Sequence, residues 1–348
     1  MLGPRRKPFW EDRLEEATRT SASAFDVARM AGVSQSAVSR AFTPGAPIAK
    51  STRDRILRVA GEIGYRPRRP VEAEVAADEV AIVMSDISNP FFPPVLDALM
   101  THLVERGRRF SLHYVPHDQN ADSLISELLQ RRPAGVIFNG ATTESELPRQ
   151  CREHGLPMVL LSRILKHPDV SMVACDNYGG GRQVADLFIR CGRQRIAFMA
   201  GRENIPSSAD RERGLVEGLA AAGLEVVARD SGSFVYDGGV AATERLLAGG
   251  GRPDAIFCAN DVMALGAIDT IRRDRTLRIP EDIAIVGFDD VPMCSWSAYQ
   301  LTTVRQRIGL MVEEAVDLME RLIQGADRTG ISRLVPGVLI ERATTPAS

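Results

Sequence analysis

Short apolar runs recur along the chain from residue 80 onward, and segments with helical periodicity lie between many of them. Strand-like runs that alternate with helices predict doubly wound parallel sheets, and the 269 residues from 80 to 348 are enough for two such lobes. In this architecture ligands bind beyond the carboxyl ends of the strands. The runs are VAIVM at 80–84, AGVIF at 134–138, MVLL at 158–161, RIAFMA at 195–200, AIFCA at 255–259 and IAIVGF at 283–288.

Residues 24–65 have a different pattern, which predicts a small all-α unit of short helices. The proline-rich RPRRP at 66–70 ends the last helix, because proline blocks helical continuation. A polar, alanine-rich connector follows it. The apolar residues at helical spacing are Phe25, Val27, Ala28 and Ala31 in the first helix, and Ile56, Leu57, Val59, Ala60 and Ile63 in the last.

Within this unit the spacing of Ala28, Gly32 and Val38 predicts a helix-turn-helix. A small residue at 28 lets two helices approach closely, and Gly32 can adopt the left-handed conformation of the turn. Val38 then packs the second helix onto the core. Ser34 is expected to cap that helix, because its hydroxyl oxygen can accept from free backbone N–H groups.

The outer face of the second helix carries polar side chains that suit DNA recognition. Glutamine and arginine have the geometry to bind adenine and guanine edges in the major groove, and serine can contact phosphates or bases. A small helical subdomain with a polar surface is the alternative interpretation. The residues of this face are Gln35, Ser36, Ser39 and Arg40.

The distribution of charge favours the first interpretation. Residues 1–70 contain 14 Lys and Arg against 7 Asp and Glu, a formal charge of +7, whereas residues 71–348 contain 29 against 38, a charge of −9. A basic head on an acidic body indicates that the head meets a polyanion. The predicted flexible leader, residues 1–22, has no apolar signal segment, and its basic residues could touch phosphates: Arg5, Arg6 and Lys7.

Composition excludes several other classes of protein. Of 348 residues, 44% are hydrophobic and 25% charged, which is ordinary for a soluble globular chain. The five cysteines are scattered and form no CxxC pair, which argues against a disulfide framework or a structural zinc and fits a reducing cytoplasm. No apolar run approaches the ~18 residues of a membrane span, so no membrane partner is expected.

Motifs for catalysis are absent as well. The sequence has no P-loop, no GxGxxG after the first strand and no GxSxG elbow. Asp289 and Asp290 are adjacent, so their side chains should diverge rather than flank a bond. His113 and His117 straddle the non-helical YVP, which disfavours metal ligation. We therefore expect no enzymatic activity, no cofactor and no metal.

AFDVARMAGVSQSAVSRAF, followed by STRDRILRVAGEIGYRP, resembles the DNA-binding head of the LacI/GalR-type transcription regulators. The resemblance runs from about residue 23 through essentially the whole chain. Each further motif is weak alone, but their order and spacing together are highly specific. They are ISNPFF at 87–92, LLSR at 160–163, CDN at 175–177, GRQRIAFMAG at 192–201, SSADRERG at 207–214, CANDVMALG at 258–266, VGFDD at 286–290 and LTTVRQ at 301–306.

This resemblance implies a helix-turn-helix head, a hinge and an α/β two-lobed core like that of type I periplasmic sugar-binding proteins. The chain would cross between the lobes three times, and a homodimer would form through the core. The implied domains are a leader at 1–22, a head at 23–68, a hinge at 69–79 and a core at 80–348, with an N-lobe of about 80–174 and 306–326 and a C-lobe of about 175–305 and 327–345.

The resemblance also implies an effector site between the lobes, with chemistry that suits a sugar or polyol. Arginine and aspartate bind vicinal hydroxyls in a bidentate way, asparagine both donates and accepts, and aromatic faces cover C–H patches. Ser162 stands where several sugar-binding relatives have aspartate, so a less hydroxylated or anionic ligand is the alternative. The implied contacts are Asn89, Phe91, Phe92, Arg163, Arg211, Phe234, Asn260 and Asp289.

Some of these residues have structural alternatives. Phe91 and Phe92 could serve core packing, and Arg163 could be a salt-bridge partner. Asp289 and Asp290 could form a solvated acidic loop.

In the head, the resemblance implies DNA contacts from a set of polar residues and one tyrosine. Ala49 stands where a serine usually caps the third helix, so that cap either moves to Ser51 or is lost. The implied DNA-binding residues are Ser34, Gln35, Ser36, Ser39, Arg40, Arg53 and Tyr65.

The hinge departs from the family pattern, in which a leucine from each subunit wedges into the minor groove. Alignment from Tyr65 puts Arg68 at the usual asparagine, Val71 at the usual alanine and Glu74 at that leucine. A carboxylate there meets the negative potential of the phosphates, so we hypothesise that residue 74 does not wedge. Val71 or Val75 in a shifted register, or the two heads alone, would then dock.

We therefore expect a cytoplasmic, dimeric, ligand-responsive and sequence-specific transcription regulator, a repressor, with double-stranded DNA and a sugar-like effector as partners. Symmetric dimers place two recognition helices on successive major grooves, so the operator should be near-palindromic. The alternative is a cytoplasmic small-molecule-binding protein whose head no longer binds specific DNA.

Overall fold

The chain divides into two compact units, Met1–Glu72 and Ala73–Ser348, and the boundary falls within the predicted hinge at 69–79. The predicted leader and the hinge residues Arg68, Val71 and Glu74 lie outside the described residues. The computed structural model describes residues 23–42, 46–63, 65, 78–85, 87–115, 124–139, 146–162, 170–203, 205–273, 276–325 and 330–346.

The described part of the head forms three helices, as predicted: α1 (Ala24–Ala31), α2 (Gln35–Phe42) and α3 (Lys50–Glu62). Ser23 caps α1, since its hydroxyl accepts from the backbone N–H of Asp26 while the Asp26 carboxylate accepts from the Ser23 N–H. Gly32 ends α1 at φ +64°. Ser34 then caps α2 by accepting from the Ala37 N–H at 3.3 Å, as predicted.

The three helices bury a small apolar cluster. The prediction for Phe25 is wrong, because its side chain is 59% exposed and only the other three members of that face pack inward. The cap of α3 is lost: Ala49 stands at the N-cap with no side-chain hydrogen bond. The buried cluster consists of Val27, Ala28, Ala31, Val38, Ala41, Ile56, Val59 and Ala60.

The core unit contains two sheets, each of six strands in the described residues. The first contains β1 (Glu79–Met84), β2 (Arg109–Tyr114), β3 (Gly135–Asn139), β4 (Met158–Leu161), β5 (Ser171–Cys175) and β11 (Ser332–Val335). The second contains β6 (Ile196–Ala200), β7 (Val226–Ser231), β8 (Ala255–Cys258), β9 (Ala284–Asp289), β10 (Thr302–Arg305) and β12 (Val338–Ile340).

Helices connect most successive strands and cover the sheets, which explains why the central strands are apolar on both faces. They are α4 (Phe92–Glu105), α5 (Ile125–Arg131), α6 (Leu147–Glu153), α7 (Asn177–Arg190), α8 (Pro206–Ala220), α9 (Tyr236–Ala248), α10 (Asp261–Arg273) and α11 (Ile308–Ile323), with a 3₁₀ turn at Pro292–Ser295.

Strand order in both sheets is that of a doubly wound fold, which confirms the predicted class. The first sheet runs β11-β5-β4-β3-β1-β2 with all pairs parallel, for example Ile82 opposite Leu112 and Ile137. The second runs β12-β10-β9-β8-β6-β7, and only the β10–β12 pair is antiparallel among its described strands.

The chain crosses between the sheets three times, after β5, after β10 and after β11. Assignment of 327–345 to the C-lobe needs correction, because Ser332–Val335 pairs with β5 in the first sheet and the chain returns only at β12. The crossings meet at Gly337, where an added Cβ would lie 3.4 Å from Cys175 Sγ and 3.3 Å from the Arg305 carbonyl oxygen.

Helices α7 and α8 cross so closely that their backbones are in contact. A Cβ at Gly181 would overlap the carbonyl oxygen of Arg211, and one at Gly214 would overlap that of Tyr178. Glycine is required at both positions because any side chain would push the helices apart. This crossing sets the position of Arg211 relative to the start of α7.

Substitution Gly214→Ala is therefore expected to lower the free energy of unfolding by about 1–3 kcal/mol, the usual cost of overpacking. The matched control is Gly309→Ala in α11, where no atom lies within 4 Å of the new Cβ. Alanine has the better helix propensity, so this control should be neutral or slightly stabilising. Urea unfolding measures both variants, and equal midpoints would contradict the close-crossing argument.

Candidate functional site

A cavity of about 300 Å³ opens between the two sheets at the carboxyl ends of their parallel strands. Strand ends from both sheets reach it: Asn139 ends β3, Ser162 follows β4, Arg202 follows β6 and Asp289 ends β9. This is the position at which doubly wound sheets bind ligands.

The first lobe supplies the segment before α4. Asn89 Oδ1 accepts from the Phe91 N–H at 3.1 Å, which shapes the turn. Phe91 and Phe92 stack edge to face at 5.3 Å between centroids, and both line the cavity. Phe91 is also buried in the core, so its packing role and its place in the lining coexist.

Asn139 and Ser162 complete this wall, and neither was among the predicted effector contacts. Asn139 is 1% exposed, and its Nδ2 has no hydrogen-bond partner in the described structure. Ser162 has φ +67°, and its buried hydroxyl also lacks a partner. Ser162 is the residue that the resemblance places where several sugar-binding relatives have aspartate, whereas Asn139 follows the apolar run at 134–138 and could have been found by the strand-end rule.

Arg211, on α8, is the buried cation of the second lobe. Its Nε donates to Asn177 Oδ1 at 2.8 Å, Nη1 donates to the Ala259 carbonyl, and Nη2 lies 3.5 Å from Asp289 Oδ1. The guanidinium carbon stands 3.6 Å from the Phe288 ring centroid. Burial lowers the pKa of Arg211, and Asp289 opposes that effect. Protein groups thus take much of its hydrogen-bonding capacity.

Asp289 is the acid of the described cavity lining. Gln306 Nε2 donates to its Oδ1 at 2.6 Å. Burial raises the pKa of Asp289 to about 7; Arg211 acts against this rise, and repulsion from the buried Asp261 adds to it. Asp289 has φ +123°, which turns its side chain into the cavity. Gln306 and Arg202 are lining residues that sequence reasoning missed.

Asp290 does not belong to a solvated loop. Its side chain is 7% exposed and pairs with Arg305 at 2.6 Å and Arg342 at 2.8 Å. The side chains of Asp289 and Asp290 therefore point in different directions, as expected from their adjacency.

Phe234 and Asn260 form one unit at the mouth of the second lobe. Phe234 has φ +66° and lines the cavity, with its ring against Gly201. Asn260 Oδ1 accepts from the Met263 N–H at 3.0 Å, and its Nδ2 donates to the Phe234 carbonyl at 3.3 Å. Asn260 thus holds the Phe234 loop to the start of α10. The remaining predicted contact, Arg163, lies outside the described residues.

In the head, α2 presents the predicted polar face to solvent: Gln35, Ser36, Ser39 and Arg40 are all exposed. The Ser34 and Ser36 hydroxyls lie 2.9 Å apart, and Arg40 Nε donates to the Ser36 carbonyl at 3.2 Å. The guanidinium therefore lies along the helix surface, available to turn toward a ligand.

Arg53 and Tyr65 have structural contacts within the head. Arg53 Nη2 donates to the carbonyl oxygens of Arg40 and Ala46, each at 3.4 Å, which ties α3 to the end of α2. Tyr65 packs edge to face on Phe42 at 5.7 Å. Both residues thus hold the C-terminal end of α2 in place.

The described residues include no group of three or more His, Cys, Asp or Glu side chains that could hold a metal ion. No helix in the described ranges is long and apolar enough to cross a membrane.

Two segments of the chain match known protein families, and relatives match most of its length. Residues 25–68 match the bacterial regulatory proteins of the lacI family, and residues 185–345 match the periplasmic binding protein-like domain. The HTH-type transcriptional regulator CelR of Thermobifida fusca is 34% identical over 310 residues, which cover 86% of this chain and 91% of CelR. The repressor CytR of Escherichia coli K12 is 29% identical, with coverage of 94% and 97%.

Solved structures agree with the sequence relatives. A CelR–cellobiose complex superposes with a TM-score of 0.72 at 32% identity and covers 93% of this chain and 99% of its own. The lac repressor dimer bound to operator and the anti-inducer ONPF has a TM-score of 0.71 at 26% identity, with coverage of 94% and 100%. With a matching head, a two-sheet core and relatives across its length, the chain belongs to the lacI family of bacterial regulatory proteins and is a DNA-binding transcription regulator.

Proposed function

We propose that the protein is a repressor that binds a near-palindromic operator as a homodimer. A sugar-like effector in the cavity raises or lowers its affinity for that operator. The observation that carries this proposal is the pairing of an exposed Gln35–Arg40 face on α2 with a polar cavity between two lobes in the same chain. Its relatives are transcriptional regulators, which supports a non-catalytic role at chromosomal DNA in the cytoplasm.

Direct base reading is assigned to Gln35, Ser36 and Arg40, and phosphate contact to Ser34 and Ser39. The assignment rests on side-chain chemistry: bidentate amide and guanidinium groups match adenine and guanine edges, whereas hydroxyls suit backbone oxygens. All five residues are exposed in the head. Arg53 and Tyr65 act by positioning α2.

A homodimer is supported by the edge of the first sheet. Strand β2 is an edge strand of that sheet. Leu112 and Tyr114 lie on the same face of β2, and each is about half exposed. Exposed apolar residues on an edge strand favour coverage by another subunit. A symmetric dimer would give two recognition helices for one palindromic site.

Effector control is supported by the chemistry of the cavity and by the cellobiose complex of the relative CelR. Aromatic rings at Phe91, Phe92 and Phe234 can cover the C–H faces of a sugar, while Asp289 offers a carboxylate oxygen. Binding there must be linked reciprocally to DNA affinity: DNA changes effector affinity by the same factor by which effector changes DNA affinity.

The test is a fluorescence anisotropy titration against promoter DNA flanking the gene, followed by selection from random-sequence DNA. A near-palindromic site is expected. Variant Arg40→Ala should lose about 10–100-fold of its affinity for that site but little for unrelated DNA, since a bidentate base contact contributes about 1–3 kcal/mol. The control variant Arg278→Ala removes an ion pair with Asp282 on the surface of the core unit and should bind DNA like wild type.

Absence of any preferred sequence would contradict the repressor proposal and leave the alternative, a small-molecule-binding protein without specific DNA binding. An equal loss on specific and unrelated DNA would instead assign Arg40 to phosphate.

A further inference from the structure

Hydrogen-bond acceptors in the described cavity lining are largely engaged by the protein. Asn89 Oδ1 accepts from the Phe91 N–H, and Asn260 Oδ1 accepts from the Met263 N–H. One oxygen of Asp289 accepts from Gln306 and faces Arg211. A ligand hydroxyl that must donate therefore competes with protein donors for these three oxygens.

Two polar groups of the cavity wall that can donate hydrogen bonds have, in contrast, no partner. The Asn139 Nδ2 amide and the Ser162 hydroxyl are both buried at the cavity wall, and neither has a partner in the described structure. Leaving a buried donor unsatisfied costs about 1–3 kcal/mol, so these two groups favour a ligand that brings oxygen acceptors. The unpartnered side-chain atoms of this wall are thus an amide donor and a hydroxyl that can donate.

The described cavity lining also contains two arginines but one carboxylate. Arg211 has Asp289 as its counter-ion, whereas Arg202 lines the cavity half-buried and makes no ion pair or side-chain hydrogen bond with any described residue. The adjacent carboxylate cannot neutralise it, because Glu203 is held by Arg229 in two contacts of 2.8 Å. One positive charge therefore remains at the rim.

We propose that the effector is a hydroxylated organic anion, with its carboxylate or phosphate on Arg202 and oxygen atoms on Asn139 and Ser162. A neutral hydroxyl donates as well as accepts, but an anionic oxygen only accepts, and the unpartnered Asn139 amide beside an unpaired cation fits the anion. This inference rests on the proposed function and deepens it by naming the class of effector.

The test is isothermal titration calorimetry of the full chain at ~0.15 M salt with matched acidic and neutral probes. D-Glucuronate, D-gluconate and D-glucose 6-phosphate are compared with D-glucose and D-glucitol. At least one acid should bind at least ~30-fold more tightly than its neutral counterpart. The carboxylate and phosphate probes distinguish the two sources of negative charge.

Variant Arg202→Gln should lose about 10–100-fold of its affinity for that acid, the range of a charge-assisted hydrogen bond, and less than about 3-fold for the neutral counterpart. The matched control is Arg213→Gln on α8, which removes an exposed ion pair with Asp210 and should leave both affinities unchanged. Thermal unfolding of each variant checks that the core is intact.

Three outcomes overturn the inference: a neutral probe that binds as tightly as its acid, an acid panel in which nothing binds, or a preference that survives Arg202→Gln. A neutral sugar that binds and changes operator affinity would overturn the inference but leave the proposed function standing. An acid that binds without changing operator affinity would overturn the proposed function instead.

Discussion

Replacement of Arg211 by methionine is expected to lower the free energy of unfolding of the core unit by about 3–5 kcal/mol near pH 8, the usual cost of breaking a buried ion pair from one side. Methionine can fill the space of the stem but leaves Asp289 as a buried carboxylate without its cation. The bonds to Asn177 and Ala259 are lost as well. Binding of the acidic probe should weaken, because Arg211 also lines the cavity. Urea unfolding and calorimetric titration of the full chain measure the two effects.

This loss should depend on pH. In the wild type the pKa of Asp289 is raised from 3.8 to about 7, so the folded state holds a proton that the unfolded state releases. That contribution to stability is complete below about pH 4 and is lost as the pH rises toward 7. Without Arg211 the pKa of Asp289 rises further, so Arg211→Met should be less destabilising at pH 5.5 than at pH 8. A penalty independent of pH would contradict the ion-pair explanation.

Two further variants separate charge from packing. Arg213→Met, two positions along α8, removes an ion pair with Asp210 and a contact with the Tyr178 ring, both at the surface, and should cost less than about 1 kcal/mol. Arg211→Met combined with Asp289→Asn removes both charges and should recover part of the stability lost by the single variant. A double variant no more stable than Arg211→Met would show that the lost packing and hydrogen bonds outweigh the charge.

Replacement of Ile56 by asparagine is expected to unfold the head and to reduce specific operator binding by more than about 100-fold. Ile56 is fully buried in the eight-residue cluster that holds the three helices together. Removal of an isoleucine from a core costs about 2–5 kcal/mol, and burial of an unpaired amide adds to that. A helical unit of this size has little stability to lose.

The neighbouring residue provides the control. Leu57 is 41% exposed on the same helix, so Leu57→Asn should leave the head folded and operator binding within a few-fold of wild type. Circular dichroism and the anisotropy titration compare the two variants. Effector binding by Ile56→Asn should match wild type, because the head and the core are separate compact units. An unfolded core in Ile56→Asn would contradict this independence.

Much of the core could be predicted because parallel strands covered on both faces are continuously apolar. All six runs recognised in the sequence are strands, within one residue at their ends. The six runs do not include the central strands β5 and β10 or the four edge strands of the described sheets. Two of the edge strands, β2 (RFSLHY) and β7 (VVARDS), contain charged residues, and only His113 is buried in the first and no residue in the second. Their polar face reflects their place at the sheet edge, which only the assembled fold determines.

In the candidate site, too, residues at the ends of apolar strands could be predicted, whereas contacts between distant segments could not. Asn260 and Asp289 could be anticipated because they follow apolar runs, and strand ends converge in this fold. Asp290 could not, since its partner Arg342 lies 52 positions away and is brought near only by the last crossing between the sheets. The hydrogen bond from Arg211 to Asn177 likewise depends on the glycine crossing of α7 and α8.

The meeting of the three crossings at Gly337 has a mechanical consequence. Connections that converge on one point permit one lobe to rotate about that point, but sliding would stretch at least one of them. Gln306 immediately follows β10 at this pivot, and its amide reaches Asp289 in the cavity. We therefore expect a ligand that contacts Asp289 to act close to the axis of such a rotation. In a rotation about Gly337, a displacement of a fraction of an ångström near the axis corresponds to a larger displacement at the far ends of both lobes.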